Sequence, residues 1–173
     1  MRELQVVDAS ELATAYAAAR YAVRLDGDTL PLRVGQPAPD LEAYWPANGY
    51  TFITAWNPAS EPHSDDANQT ADALMVAQLD AAGVQRLAAW AEDPDGEWRE
   101  PGWLLADLDN DLVDRLAHEF GQAGVLRWQR GEPVRLRMLV ERPRDGRMAT
   151  AAAGFTDWVG DWATDWVKGS ATA

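Results

Sequence analysis

Residues 50–58 read Tyr-Thr-Phe-Ile-Thr-Ala-Trp-Asn-Pro. Tyr50 to Trp56 is rich in aromatic and β-branched side chains, which fit a pleated, buried surface, so a strand is predicted there. Asn57-Pro58 closes it, because proline fixes its own φ and pushes the preceding residue out of the helical region. Everything downstream is framed by this boundary. A polar, Pro-rich stretch leads to Ser64, a good helix N-cap, and Ala71, Leu74, Met75, Leu79 and Ala82 then recur at helical spacing before Gly83, a residue suited to a left-handed C-terminal cap. Val84 to Ala91 reads as a strand, Asp93-Pro94-Asp95-Gly96 as a turn, and Gly102 to Asp107 as the returning strand. Leu112, Val113, Leu116, Ala117 and Phe120 form the stripe of a second helix, started by Asp109 or Asn110 and ended by Gly121. Val125 to Gln129 and Val134 to Val140 are two further strands around Arg130-Gly131-Glu132.

From residue 50 the order is therefore β-α-β-β-α-β plus one strand, the split β-α-β order of ferredoxin-like folds, and the expected class is α+β with a two-layer ferredoxin-like core. Toward the N-terminus, Asp8 and Glu11 have the spacing of a capping box, and Leu12, Tyr16 and Ala19 share one helical face, so a helix is predicted from near Asp8 to near Tyr21. A hairpin over Tyr21 to Val34 follows, with Asp26-Gly27-Asp28 at its turn, and then a loop over Gly35 to Asn48 containing Pro37, Pro39 and Pro46. Toward the C-terminus, an Ala-rich linker precedes Phe155, Trp158, Val159, Trp162, Trp166 and Val167, spaced as an amphipathic helix, although Gly160 weakens it. Asp157, Asp161 and Asp165 each precede a Trp, an acidic pattern unsuited to a membrane surface. The Trp stripe is thus expected to cover the domain's own sheet, a protein partner or a second copy in a homodimer. The organisation read from the chain is one α+β domain over residues 1–145, followed by a linker and Trp-rich helix over 146–173.

At 173 residues, with 47% hydrophobic and 25% charged side chains, the chain suffices for one well-packed core. The absence of cysteine excludes disulfides, thiolate nucleophiles and thiolate-bound zinc. With no leader-like stretch and no apolar run of about 20 residues, a cytoplasmic protein is expected. A net charge of −13 argues against nucleic acid and anionic membranes as partners. Seven Arg against three acids between Arg127 and Arg147 make a local basic strip, read as a strand edge balancing acidic neighbours in preference to an anion site.

The segment Thr54-Ala55-Trp56-Asn57-Pro58, Ser60, Asn68, the Asp95-Gly96-Glu97-Trp98 turn with Glu100, and Phe120-Gly121-Gln122 together resemble a bacterial family, domain of unknown function 3293. The resemblance covers about residues 50–128. It implies where a site would lie and supplies no reaction.

In a ferredoxin-like arrangement Asn57, Asn68, Glu100 and Gln122 converge at one end of the domain, walled by Trp56 and Trp98, and form a polar pocket with donors and acceptors for a small polar ligand. The equally open alternative is local: Asn57 caps its loop, Asn68 ties that loop to the helix, and Gln122 satisfies buried backbone groups. Three functions follow: a ligand-binding or protein-interaction module; an enzyme for a small polar substrate with Glu100 as general base; or a structural homodimer sealed by the Trp helix. A binding pocket or active site requires Glu100 buried in a concavity beside Asn57 and Gln122, whereas an interaction module requires a flat or apolar exposed patch. His63 and His118 lack metal-binding spacing, no nucleotide, dinucleotide or nucleophile-elbow motif occurs, and neither metal nor cofactor is expected. Asp107-Leu108-Asp109-Asn110-Asp111 reads as helix-start charge in preference to a cation site.

Overall fold

The computed structural model describes residues 6–144, 153–162 and 165–167. Its centre is strand β4 (Gly49–Ile53), numbered in chain order, which is buried at every position and so requires cover on both faces. β6 (Arg99–Ala106) and β7 (Gly124–Gln129) flank it, both antiparallel, and β5 (Arg86–Glu92) pairs antiparallel outside β6. Helix α3 (Asp65–Ala81) connects β4 to β5, and α4 (Asn110–Glu119) connects β6 to β7. Each helix-linked pair thus straddles one intervening strand, in the order β5-β6-β4-β7. As the sequence predicts, Ser64 caps α3 by accepting from Ala67 N, Asp109 caps α4 by accepting from Leu112 N, and Gly83 and Gly121 follow their helices at φ +68° and +65°.

The sheet continues beyond this core. The hairpin β2 (Arg20–Leu25) and β3 (Asp28–Leu32) extends it past β5, and β8 (Leu136–Val140) and β9 (Thr156–Trp162) extend it past β7 to eight strands among the described residues, with β8 and β9 paired in parallel. A separate antiparallel pair joins β1 (Val6–Asp8) to β10 (Asp165–Val167).

Two layers were expected and three are found. Ile53, Leu105 and Val125 pack with Met75 and Leu79 of α3 and with Val113, Leu116 and Phe120 of α4. Tyr50, Phe52, Leu104 and Leu126, alternating with them along the same strands, pack with Leu12 and Ala13 of α1 (Ala9–Ala18) and Leu41 of α2 (Pro39–Tyr44). The N-terminal elements therefore cover the second face instead of merely preceding the core. Helix α2 lies in the segment expected to be a loop. Pro39 stands in its first turn, where the missing N–H is no loss, so this proline starts a helix rather than forbidding one.

The C-terminal amphipathic helix is also overturned: its described residues form β9 and β10. Positions 158, 162 and 166 are four apart, which places them together on a helix but equally on one side of a strand, where the period is two. Gly160 resolves the ambiguity. A Cβ built there would overlap the Leu139 carbonyl, where the β8–β9 register shifts between Met138 and Val140, so the backbones approach as only glycine permits. The Ala-rich linker lies outside the described residues.

Candidate functional site

The corner after β4 is built around Asn57, whose backbone takes the left-handed conformation (φ 46°) that Asn tolerates better than most residues. Pro58 then opens a short 3-10 turn, Pro58–Ser60. Asn57 and Asn68 clasp each other: Asn57 N donates to Asn68 Oδ1 at 2.9 Å, and Asn68 Nδ2 donates to Asn57 Oδ1 at 2.9 Å. The same Oδ1 accepts from His63 N at 2.9 Å. With its carbonyl oxygen committed, the Asn57 amide aims Nδ2 at Glu100, donating to Oε1 at 2.6 Å. Gln122 Nε2 donates to the Trp56 and Phe120 carbonyls at 3.0 and 3.2 Å, tying the end of α4 to the same corner. Between them Gly121 passes so close to Pro58 that an added Cβ would sit 2.7 Å from Pro58 Cβ. That contact gives Gly121 and Pro58 a common reason to occur together.

Inside this corner is a cavity of about 50 Å³, lined by Glu100, Asn57, Gln122 and Trp98 together with Ser60, Tyr16, Tyr21 and apolar groups such as Phe52 and Leu126. Tyr16 Oη and Ser60 Oγ are 2.5 Å apart, and Tyr21 Oη donates to the Tyr16 carbonyl at 2.5 Å. Thr54 Oγ1 donates to the Pro101 carbonyl and accepts from Trp56 N, fixing the strand's exit. Glu100 is 6% exposed, and among the described residues no cation stands within ion-pair distance of it. Burial pushes its carboxyl up to about 7, the Asn57 hydrogen bond offsetting part of the effect. Burial also pushes Tyr16 up to about 12 and Tyr21 higher still, so both remain neutral. Glu100 is thus the lining group that exchanges a proton near neutral pH.

Four of the six expected pocket residues line the cavity: Asn57, Trp98, Glu100 and Gln122. Asn68, 2% exposed, stands behind Asn57 and holds it, and Trp56 takes part through its backbone. The local alternative thus describes Asn68 and Gln122 well, but it leaves Glu100 without a structural reason to be buried. Tyr16 and Tyr21 were not foreseen. Tyr16 was legible only as part of an apolar helix stripe, and nothing in the spacing of the chain relates it to residue 100.

The other singled-out groups are engaged elsewhere. Arg127 donates to Asn110 Oδ1, Thr51 Oγ1 and the Leu108 carbonyl, while Arg135 and Arg137 form two-pronged pairs with Asp157 and Asp114, so these members of the basic strip are held by partners. Asp107 accepts from Asn48 N and Gly49 N, and Asp109 caps α4, giving both structural employment. Among the described residues no three acidic or imidazole side chains come together as a metal ion would need. Phe155 lies against Gly35 under the Arg135 guanidinium, and Trp158 packs on the α1 side of the core; the side chains of Trp162 and Trp166 lie outside the described residues.

Residues 53–125 match the family model described as Protein of unknown function (DUF3293). The match runs from the end of β4 to the first residues of β7 and contains Asn57, Asn68, Glu100 and Gln122, with Tyr16 and Tyr21 outside it. No curated protein and no solved structure matches the chain. Through residues 53–125, which hold the Asn57–Glu100 pair and its supports, the chain is similar to the DUF3293 family.

Proposed function

We propose that this chain binds a small polar molecule in the cavity beside Glu100, with the carboxyl group contacting the ligand. One observation carries this: a buried carboxyl group faces a cavity with a neutral amide as its hydrogen-bond partner and no countercharge among the described residues. Burying a carboxylate without a cation costs several kcal/mol, and a purely structural position would be better filled by an apolar or amide side chain. The concavity favours a small molecule over a flat docking surface. Protein-interaction and homodimer readings have less support, because Phe155 and Trp158 rest on the chain's own residues.

A second reading, an enzyme acting on a small polar substrate, is favoured by the proton affinity of Glu100. A general base works best when its pKa lies near the operating pH, and the Tyr16–Ser60 hydroxyl pair is available to position a substrate. Supporting both is our proposal that β4 to β7 form a ferredoxin-like core, based on the strand order and antiparallel pairing. A cytoplasmic setting is proposed from the lack of cysteine. No helix among the described residues is long and apolar enough to cross a membrane.

Ligand-observed NMR with a set of small polar compounds tests the binding reading. At least one compound should bind wild type and lose its signal with Ala91→Val, which places two methyl groups opposite Glu100 in the β5–β6 pair while leaving the backbone amide spectrum otherwise intact. Compounds that bind both proteins equally, or neither, would overturn it.

A further inference from the structure

The cavity's composition narrows the ligand further, in an inference that rests on the binding reading above. Among the described residues the lining side chains include no Lys, Arg or His, and the whole chain carries a net charge of −13. An anionic ligand would bring a second negative charge against Glu100 in an enclosed space, which is strongly unfavourable. A neutral ligand would leave the carboxylate without compensation. A cation would supply the missing charge, and the rings of Tyr16, Tyr21, Phe52 and Trp98, all lining the cavity, offer the aromatic surface that organic ammonium ions favour. About 50 Å³ is room for roughly three or four water-sized groups, which limits the occupant to a few heavy atoms.

We infer that the cavity is a site for a small primary ammonium ion, its nitrogen on the Glu100 carboxylate and its short alkyl part against the aromatic lining. The Tyr16–Ser60 hydroxyl pair can accept a further N–H. The upward shift of Glu100 agrees with a carboxyl awaiting a cation; the other ionisable groups lining the cavity, Tyr16 on α1 and Tyr21 on β2, stay neutral and do not compete.

Titration of the full chain with ethylammonium chloride, ethanol and sodium acetate at pH 8, followed by backbone amide shifts, tests this. Ethylammonium should move the amides of residues 57, 60 and 100, and Glu100→Gln, which preserves shape and the acceptor for Asn57, should weaken that binding at least tenfold. Ethylammonium binding unchanged in Glu100→Gln means attraction to the acidic surface and overturns the inference. If ethanol or acetate shifts those amides and ethylammonium does not, the ammonium assignment fails while the pocket reading stands. If none of the three shifts them and the wider compound set also finds no ligand sensitive to Ala91→Val, both fail.

Discussion

Glu100 and Asp157 are carboxylates on strands of one sheet, and the chain treats them in opposite ways. Asp157, on the outer strand β9, receives two hydrogen bonds of 2.8 Å from Arg135, keeps 43% of its side chain exposed, and has its pKa lowered, chiefly by the Arg135 hydrogen bonds. Glu100, on the inner strand β6, is nearly enclosed, receives a neutral amide, and has its pKa raised by burial. The first is a closed charge pair in a half-solvated place, a cheap way to settle an edge strand. The second is an unbalanced charge in an expensive place, held by an elaborate corner. The contrast teaches that these two carboxylates differ in whether a cation closes them, and that at the corner after β4 the fold leaves Glu100 facing a cavity without one among the described residues.

The largest effect should come from breaking the closed region. Gly160→Ala forces a Cβ into the Leu139 carbonyl, and at a site that cannot relax such a clash costs about 3 kcal/mol. Chemical denaturation should show that loss while Glu100 still titrates as in wild type; a coupled change would mean that the two regions are not independent.

The next concerns the open carboxyl. With its folded pKa raised from 4.5 to about 7, Glu100 holds more protons folded than unfolded between those values. Its contribution is fully present below about pH 4.5 and is lost as pH rises through about 7, a change of about 3 kcal/mol at most. Glu100→Gln should therefore match wild type below about pH 4.5 and exceed it at pH 8. Equal denaturation midpoints at pH 8 would contradict the uncompensated burial.

The smallest effect belongs to Arg135→Ala. A half-exposed pair contributes under about 1 kcal/mol, so stability at pH 7 should fall only slightly while the Asp157 pKa rises toward the ordinary carboxylate range. Because that pKa is depressed in the folded state, the pair's contribution is present above the unfolded carboxylate value and is lost as pH falls through the folded one. An unmoved Asp157 on NMR titration would show that Arg135 is not its partner in solution.

Much of the core was legible because local signals agreed with the global arrangement. Ser64, Gly83, Asp109 and Gly121 mark helix ends by chemistry that tertiary packing did not override. The site's heart was legible too, since amides and a carboxyl at element ends must converge once strand order is known. What escaped reading has physical causes. Pro39 can break a helix or begin one, and only the burial of Leu41 against the sheet decides. A spacing of four serves helix and strand alike, so the Trp-rich tail could be assigned only through the close approach at Gly160. Tyr16 reaches Ser60 across 44 residues by tertiary packing, and no local pattern encodes such a contact.

The most direct test is the pKa of Glu100 itself, read from its side-chain carboxyl carbon by NMR titration of wild type, with Asp157 in the same spectra as reference. The account predicts a midpoint at about 7 for Glu100 and one below the ordinary carboxylate range for Asp157. A Glu100 midpoint at the ordinary value of 4.5 would show its charge to be compensated or solvated, and the open site would be closed after all.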